Sequence, residues 1–515
     1  MASYASHAIT LTPGEVELAD LKSVYRGPVQ LELGGDTSAR LDRGWQVIAE
    51  AVAGERPVYA VNTGFGKLSD RRIADEDLVE LQRRLILSHA AGVGAPLADE
   101  VVRATLLLKL LCLGQGYSGV RPVVVEYLLR LLNADVLPVV PGQGSVGASG
   151  DLAPLSHIAA VLMGHGRARR DGREMAATEA LESVGLTPLT FGPKEGVALI
   201  NGTQISTALA LRGLFEAETA LLGALAAGAL ALEGVAGTDV PFDARLNAVR
   251  RQVGQVRVAA ALAALAADSP IRAAEVPGRR LQDPYSFRCQ PQVMGAALDL
   301  LVFAGTILER EANAVSDNPL VFPEDGVVIS GGNFHGQPVA YAADIIALAL
   351  CEIGSLSERR TAMMTDASMS GLPPFLVANA GLNSGMMLAQ VTCAALVAEN
   401  RSKAYPCSVD SIPTAANQED HVSMATHAGR RLHEMADNAA RVVAIELACA
   451  AQAVDLQTPS VPSPGTRPIY ELVRRHASFL AEDRLQADEF EALAALVTDG
   501  TFGALVPLDV FVDAA

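Results

Sequence analysis

Five stretches of this chain, 203–232, 291–314, 337–358, 384–400 and 420–453, are rich in alanine and leucine and run well past the length of an ordinary helix with little β-branched bias. They constrain the fold most, because alanine and leucine favour helix and a helix apolar around much of its circumference must be covered on several sides. The expected fold class is mainly α, a bundle of long central helices. Before residue 202 the texture is mixed: short apolar runs at 58–61 and 136–140 alternate with a helical pattern over 78–88. This predicts a mixed N-terminal domain, 1–201, carrying a glycine-rich loop, and a long-helix domain, 202–515. Aromatic residues make up only 4% of the chain, which favours close-packed helices over β sandwiches.

The chain carries 58 acidic against 40 basic residues, a net charge of −18, and no sustained basic stripe. Nucleic acid and anionic membrane surfaces are therefore not expected as partners. The six cysteines are scattered without C-x-x-C or metal spacing and read as buried thiols in a reducing compartment. No basic segment followed by an apolar stretch marks the start, so the expected location is the cytoplasm. Residues 367–398 hold no charge, but Pro373, Pro374, Asn379 and Asn383 interrupt them, predicting a buried loop that leads into a core helix. The uncharged stretch 219–232 looks too short to span a bilayer.

The segment 147–157 reads Gly-Ala-Ser-Gly-Asp-Leu-Ala-Pro-Leu-Ser-His. A peptide nitrogen is a poor nucleophile because its lone pair is delocalised into the carbonyl, so backbone cyclisation needs a strained turn, an unhindered nitrogen and a small preceding residue. Ala148 and Gly150 meet that need. Attack of the Gly150 nitrogen on the Ala148 carbonyl, with loss of two waters including the Ser149 hydroxyl, would leave an imidazolone bearing an exocyclic methylene. Residues 142–147 also match G-x-G-x-x-G, but a lone match is weak. Pro138 and Pro141 crowd the preceding strand, while 152–165 look helical with Pro154 in the first turn and Asp151 as cap. A glycine-rich loop feeding a helix is the blandest reading. The nine histidines show no metal spacing, and no G-x-S-x-G surrounds Ser149.

Other polar segments each have an ordinary explanation. Tyr59 precedes a glycine-rich loop and reads alone as a half-buried strand residue. His89 ends a helix, where an imidazole caps or packs. Asn201 stands before the first long helix and suits an N-cap. Arg288, in the dense polar run 282–292 with Gln282 and Tyr285, is a natural clamp for a carboxylate, or else an ion pair with Asp283. Phe334 offers an aromatic face beside a loop. Gln418, Glu419 and Asp420 stand at the start of another long helix, where the dipole alone would justify the two carboxylates.

Taken in order along nearly the whole chain, segments 62–66, 147–156, 201–204, 282–292, 332–335 and 417–424 resemble the aromatic amino acid lyase family. The resemblance implies that Ala148, Ser149 and Gly150 mature to 4-methylidene-imidazol-5-one, with no external cofactor and no metal. It also implies a helical homotetramer whose active sites draw on several subunits. In that chemistry the electrophile captures the amine while a base removes a scarcely acidic β hydrogen. The family points to Tyr59 as base, a tyrosine needing a depressed pKa for the task, with Tyr285 the second candidate. Arg288 resembles the carboxylate anchor; Asn201, Gln282 and Tyr285 resemble groups that orient substrate and ring; Phe334 packs nearby.

Substrate choice then rests on His89, Gln418 and Glu419. A carboxylate in a closed pocket is costly unless something donates to it, which an imidazole does and a phenyl ring does not. The pattern therefore favours histidine over phenylalanine, giving urocanate and ammonia. His89 could instead accept the hydroxyl of tyrosine, and an aminomutase would use the same electrophile. Gln337, the 361–364 stretch and Tyr405-Pro406, where His-Pro is common, depart from the pattern and leave fine specificity open. A catalytically dead helical scaffold is the reading from another class; intact Ser149, Tyr59 and Arg288 speak against it.

Overall fold

The computed structural model describes residues 8–54, 56–274 and 280–511 and is 59% helical, with few and short strands. The mainly α expectation holds. Two compact units form, one from Met1–Arg212, Gly305–Asp344 and Pro406–Arg430, the other from Gly213–Ala304, Ile345–Tyr405 and Arg431–Ala515.

All the described strands belong to the first unit. Ala8–Leu11 pairs parallel with Gln30–Leu33, and Val93–Pro96 pairs antiparallel with Pro141–Gln143 across a register shift. Leu137–Pro138, Arg167–Arg170 and Arg173–Ala176 form an antiparallel sheet, and Leu320–Phe322 with Val327–Ile329 a hairpin. Pro96, Pro138 and Pro141 lack the N–H that would extend a ladder, which keeps these strands short. Among them the helices Leu78–His89, Leu152–Leu162 and Glu195–Ile200 pack on one another. The helix Asp99–Gly114 is buried from Val101 to Gly114 and so lacks an amphipathic stripe.

The run 58–61 is not a strand. The amides of Val61 and Asn62 both return to the Val58 carbonyl, and Ala60 takes φ 58°, so Tyr59 sits in a turn. Apolar residues with no glycine or proline between them gave no sign of it.

In the second unit, helical segments surround a buried ion pair. The guanidinium of Arg360 meets Glu446, and its Nη2 also donates to the Ala224 carbonyl at 3.1 Å. Neither charged side chain has any exposure, so the pair is held by hydrogen bonds as well as by charge.

The long helices run Gln204–Gly234, Gln290–Ala312, Gln337–Thr365, Met387–Lys403 and Ala425–Asp455. Gln204–Gly234, Gln290–Ala312 and Gln337–Thr365 are long and apolar enough to cross a membrane by length and composition, which corrects the reading of 219–232 as too short. Between 50% and 83% of their most apolar windows is buried within the fold, and that burial accounts for the composition. The stretch 367–398 is also corrected. Its loop exposes Asn379, Ala380, Gly381 and Leu382, and Met387–Lys403 buries only Ala389, Cys393, Val397 and Asn400. All six cysteines are free thiols; Cys289 and Cys351 are partly exposed rather than buried.

Candidate active site

The predicted strained turn is present. Ser149 takes φ 53°, between Gly147 at 81° and Gly150 at 75°, and a left-handed serine costs on the order of 1 kcal/mol. What fixes the turn is backbone from elsewhere in the first unit. Gly150 bridges Gly202, the Asp151 amide donates to the Gly202 carbonyl at 2.8 Å, and the Gly202 amide donates to the Ser149 carbonyl at 3.4 Å. A Cβ on Gly150 would stand 2.1 Å from the Gly202 oxygen, and one on Gly202 would stand 2.1 Å from the Ser316 oxygen. Only glycine fits at either place.

Asp151 occupies the cap position of Leu152–Leu162, as predicted, but its side chain does not cap that helix. It is wholly buried. Oδ2 accepts from the amide and hydroxyl of Ser206 at 2.8 and 2.9 Å; Oδ1 accepts from Thr426 at 2.6 Å and Ser145 at 3.2 Å. Burial pushes this carboxyl above its ordinary pKa, against the opposing pull of those four donors. The carboxylate thus ties residues 145, 206 and 426 around the turn.

Asn201 is not an N-cap. It follows Glu195–Ile200 as that helix's C-cap, and the next helix begins at Gln204. Its Nδ2 donates to the Asn318 carbonyl at 2.9 Å and its own carbonyl accepts from Lys109 Nζ at 2.8 Å. Its Oδ1 is buried without a hydrogen bond among the described residues, as is Gln204 Oε1.

The mutual packing of the three short helices brings the end of Leu78–His89 toward the same loop. The Gly92 amide donates to His157 Nε2 at 3.1 Å, and a Cβ on Gly144 would stand 3.1 Å from the Gly92 Cα. His89 Nδ1 lies 2.9 Å from the Leu85 carbonyl, so Nδ1 carries the hydrogen and Nε2 is left as an acceptor. Burial lowers the His89 pKa, favouring that neutral form.

Tyr59 and Glu419 flank one glycine. The Gly66 amide donates to the Tyr59 oxygen at 3.3 Å, and Glu419 Oε1 lies 3.6 Å from where a Cβ of Gly66 would be. Glu419 Oε2 is buried with no hydrogen bond among the described residues. Neither Glu419 nor Asp420 begins a helix: Ala425–Asp455 starts later, and residues 415–417 turn through left-handed backbone with φ 47°, 55° and 64°. The helix dipole therefore does not explain these carboxylates. Gln418 is exposed and Phe334 half-buried, next to His335, whose Nε2 lies 3.3 Å from the His421 carbonyl.

Gln282, Tyr285 and Arg288 belong to the second unit. Arg288 lies over the Tyr285 ring at 4.4 Å, with its Nε buried and unbonded. Asp283 instead accepts from the Thr238 amide at 2.7 Å, so the ion pair with Arg288 read as an alternative does not form among the described contacts. Tyr285 is 69% exposed and Gln282 exposed.

Sequence reading missed Lys109, Lys194, Ser316 and Thr426. Only Lys109 left a signal, as a lone cation in the apolar run 106–113.

Comparison with known proteins gives a consistent result. The aromatic amino acid lyase family matches residues 16–475. The histidine ammonia-lyase of Pseudomonas fluorescens (strain SBW25) is 52% identical over 501 residues, 97% of this chain and 98% of that protein. The solved histidine ammonia-lyase of Trypanosoma cruzi has a TM-score of 0.89 and 37% identity, covering 98% of this chain and 97% of that one. The tyrosine aminomutase of Streptomyces globisporus has a TM-score of 0.91 and 34% identity, covering 98% of this chain and 100% of that one.

Proposed function

This chain belongs to the aromatic amino acid lyase family, and from that premise we propose that it is a carbon–nitrogen lyase eliminating ammonia from L-histidine to give urocanate. The observation that carries the reading is the turn at Ser149, left-handed and pressed by Gly150 against Gly202, which has the strain that cyclisation needs, with the Gly150 amide donating to the Gly147 carbonyl at 3.3 Å. In this reading Ala148, Ser149 and Gly150 form 4-methylidene-imidazol-5-one, which supplies an electrophile for the amine and so makes ammonia able to leave.

The chain's own groups do the rest. Tyr59, its oxygen held by the Gly66 amide, takes the β hydrogen. In histidine the β carbon is bonded directly to the ring, so base and ring acceptor must stand within a ring's width of each other. Tyr59 and Glu419, on either side of Gly66, suit that demand. An imidazole N–H satisfies the unpartnered Glu419 Oε2, and His89 Nε2 presents a further acceptor. A neutral imidazole, with its single N–H, satisfies one of the two acceptors, as a tyrosine hydroxyl could, and a phenyl ring satisfies neither. In the first unit Asn201, Phe334 and Gln418 are assigned to substrate binding; in the second, Arg288 is assigned to a substrate carboxylate, with Gln282 and Tyr285 in the same segment.

We propose a homotetramer, on the support of exposed apolar side chains on long helices: Phe303, Leu348, Leu388 and Val391. Sedimentation as a monomer at micromolar concentration would refute it. The six free thiols support a reducing compartment such as the cytoplasm, and the change of texture at 201/202 is proposed as the domain boundary. The resemblance to a tyrosine aminomutase keeps a second reading, return of the amine to the β carbon. Intact mass and product analysis test both. Loss of two waters with urocanate formed from histidine is expected; a full unmodified mass overturns the enzyme reading, and preference for tyrosine or a β-amino product overturns the substrate or reaction.

A further inference from the structure

Lys109 sits in the buried stretch, Val101 to Gly114, of the helix Asp99–Gly114, with 2% exposure. Its ammonium donates to two neutral backbone oxygens, Ala198 at 3.1 Å and Asn201 at 2.8 Å. Burying a cation for two carbonyls is expensive, and burial duly lowers its pKa, opposed by Cys112 and Asp317 nearby. Capping the last carbonyls of Glu195–Ile200 is the structural explanation. The position of the second carbonyl asks for more.

The peptide between Asn201 and Gly202 has its oxygen on Lys109 and its N–H on the Ser149 carbonyl. One rigid plane therefore links a buried cation to the turn. A positive charge on the oxygen also polarises the N–H that faces Ser149. The Asn201 side chain is held from the other direction. Its Nδ2 donates to the Asn318 carbonyl; the Asn318 amide donates to Asp317 at 2.7 Å; and Asp317 is paired with Lys194 at 2.6 Å, both side chains wholly buried. Asn201 is clamped at its carbonyl and at its amide nitrogen, and only Oδ1 is left free.

We infer that Lys109 is a positioning residue: by holding the Asn201–Gly202 peptide, it sets the Gly202 N–H against Ser149 and leaves Asn201 Oδ1 free to accept from the ligand. The inference rests on the cyclisation reading above. It differs from simple helix capping in what it moves, because a cap contributes stability alone. Lys109 is the better place to test than Lys194, since removing Lys194 strands Asp317 as a buried unpaired charge.

The test compares wild type, Lys109→Met and Lys109→Arg in the full chain by intact mass, circular dichroism, and kcat and KM for histidine. For Lys109→Met the expected result is a native helical spectrum, a substantial fraction of chains that keep one or both waters, and kcat lowered about tenfold or more with KM changed less than about threefold. Lys109→Arg, which keeps charge and donors, is expected to restore part of both. Complete loss of two waters in Lys109→Met, with kcat within about twofold of wild type, overturns the inference. If Lys109→Met does not fold, Lys109→Gln is read by the same two measures with the same overturning outcome. A wild type that keeps its full mass defeats the cyclisation reading itself. A dehydrated wild type with an equally dehydrated, equally active variant defeats only the role of Lys109.

Discussion

Two turns in the first unit use the same costly backbone to different ends. Both pass through left-handed conformation at residues other than glycine, Ser149 in one and Ala415, Ala416 and Asn417 in the other. Around Ser149 the turn is held by distant partners: the wholly buried Asp151 accepts four hydrogen bonds, and Gly202 both donates and accepts. Around 415–417 the bonds are local, Thr414 to Glu419 and Gln418 to Ala415, and two buried oxygens, Thr414 Oγ1 and Glu419 Oε2, have no partner. The strain of the first turn is held by long-range bonds, and that of the second by local ones. What separates the two is the reach of the bonds that hold them, since open acceptors lie beside both, Asn201 Oδ1 next to the first.

The contrast can be broken in four ways. The largest effect is expected from Ser149→Ala, which removes the leaving hydroxyl: turnover should fall by at least about a thousandfold while melting temperature moves by no more than about 2 °C. Normal activity in that variant would refute the role of the turn. Next, Gly150→Ala places a Cβ 2.1 Å from the Gly202 oxygen at φ 75°. It should destabilise by on the order of 3 kcal/mol and abolish the two-water mass loss, whereas Ala416→Gly should relieve strain and leave stability level or raised by up to about 1 kcal/mol. Equal losses in urea titrations of the two variants would erase the distinction.

Third, Glu419→Gln should lower kcat/KM for histidine by about ten- to a hundredfold without lowering the melting temperature, because the buried Oε2 accepts no hydrogen bond among the described residues. A clear loss of stability would show that Glu419 is structural. The smallest effect concerns pH. Burial holds His89 and His157 below the ordinary value of 6.5, so the unfolded chain takes up protons first as pH falls. Their neutral forms contribute stability above about pH 6.5, lost as pH falls through the folded values. His89→Gln should flatten part of that acid loss in melting temperatures measured between about pH 5 and 8, and an unchanged slope would rule His89 out.

The long helices were legible because alanine and leucine over more than twenty residues leave few alternatives, as at Gln204–Gly234. The turn at the tripeptide was legible because its flanking glycines are local marks of positive φ. Asn201 was misread as an N-cap although Gly202 after it carried the usual mark of a helix end. Tyr59, and Glu419 and Asp420 as the start of a helix, were misread for a deeper reason, since Ala60, Ala415 and Ala416 adopt positive φ without any glycine to announce it. Thr426 and Ser316 were invisible: both are ordinary residues whose roles come from partners 275 and 112 positions away, Asp151 and Gln204.

That separation sets a schedule. The groups that shape the Ser149 turn span the chain from Ser145 through Gly202 to Thr426, with Met424 returning its amide to the Val146 carbonyl. The bonds that shape the turn are therefore complete only once Thr426 has been made and gathered with Ser145 and Asp151. On the proposed function, the reactivity of the turn would wait for completion of the fold.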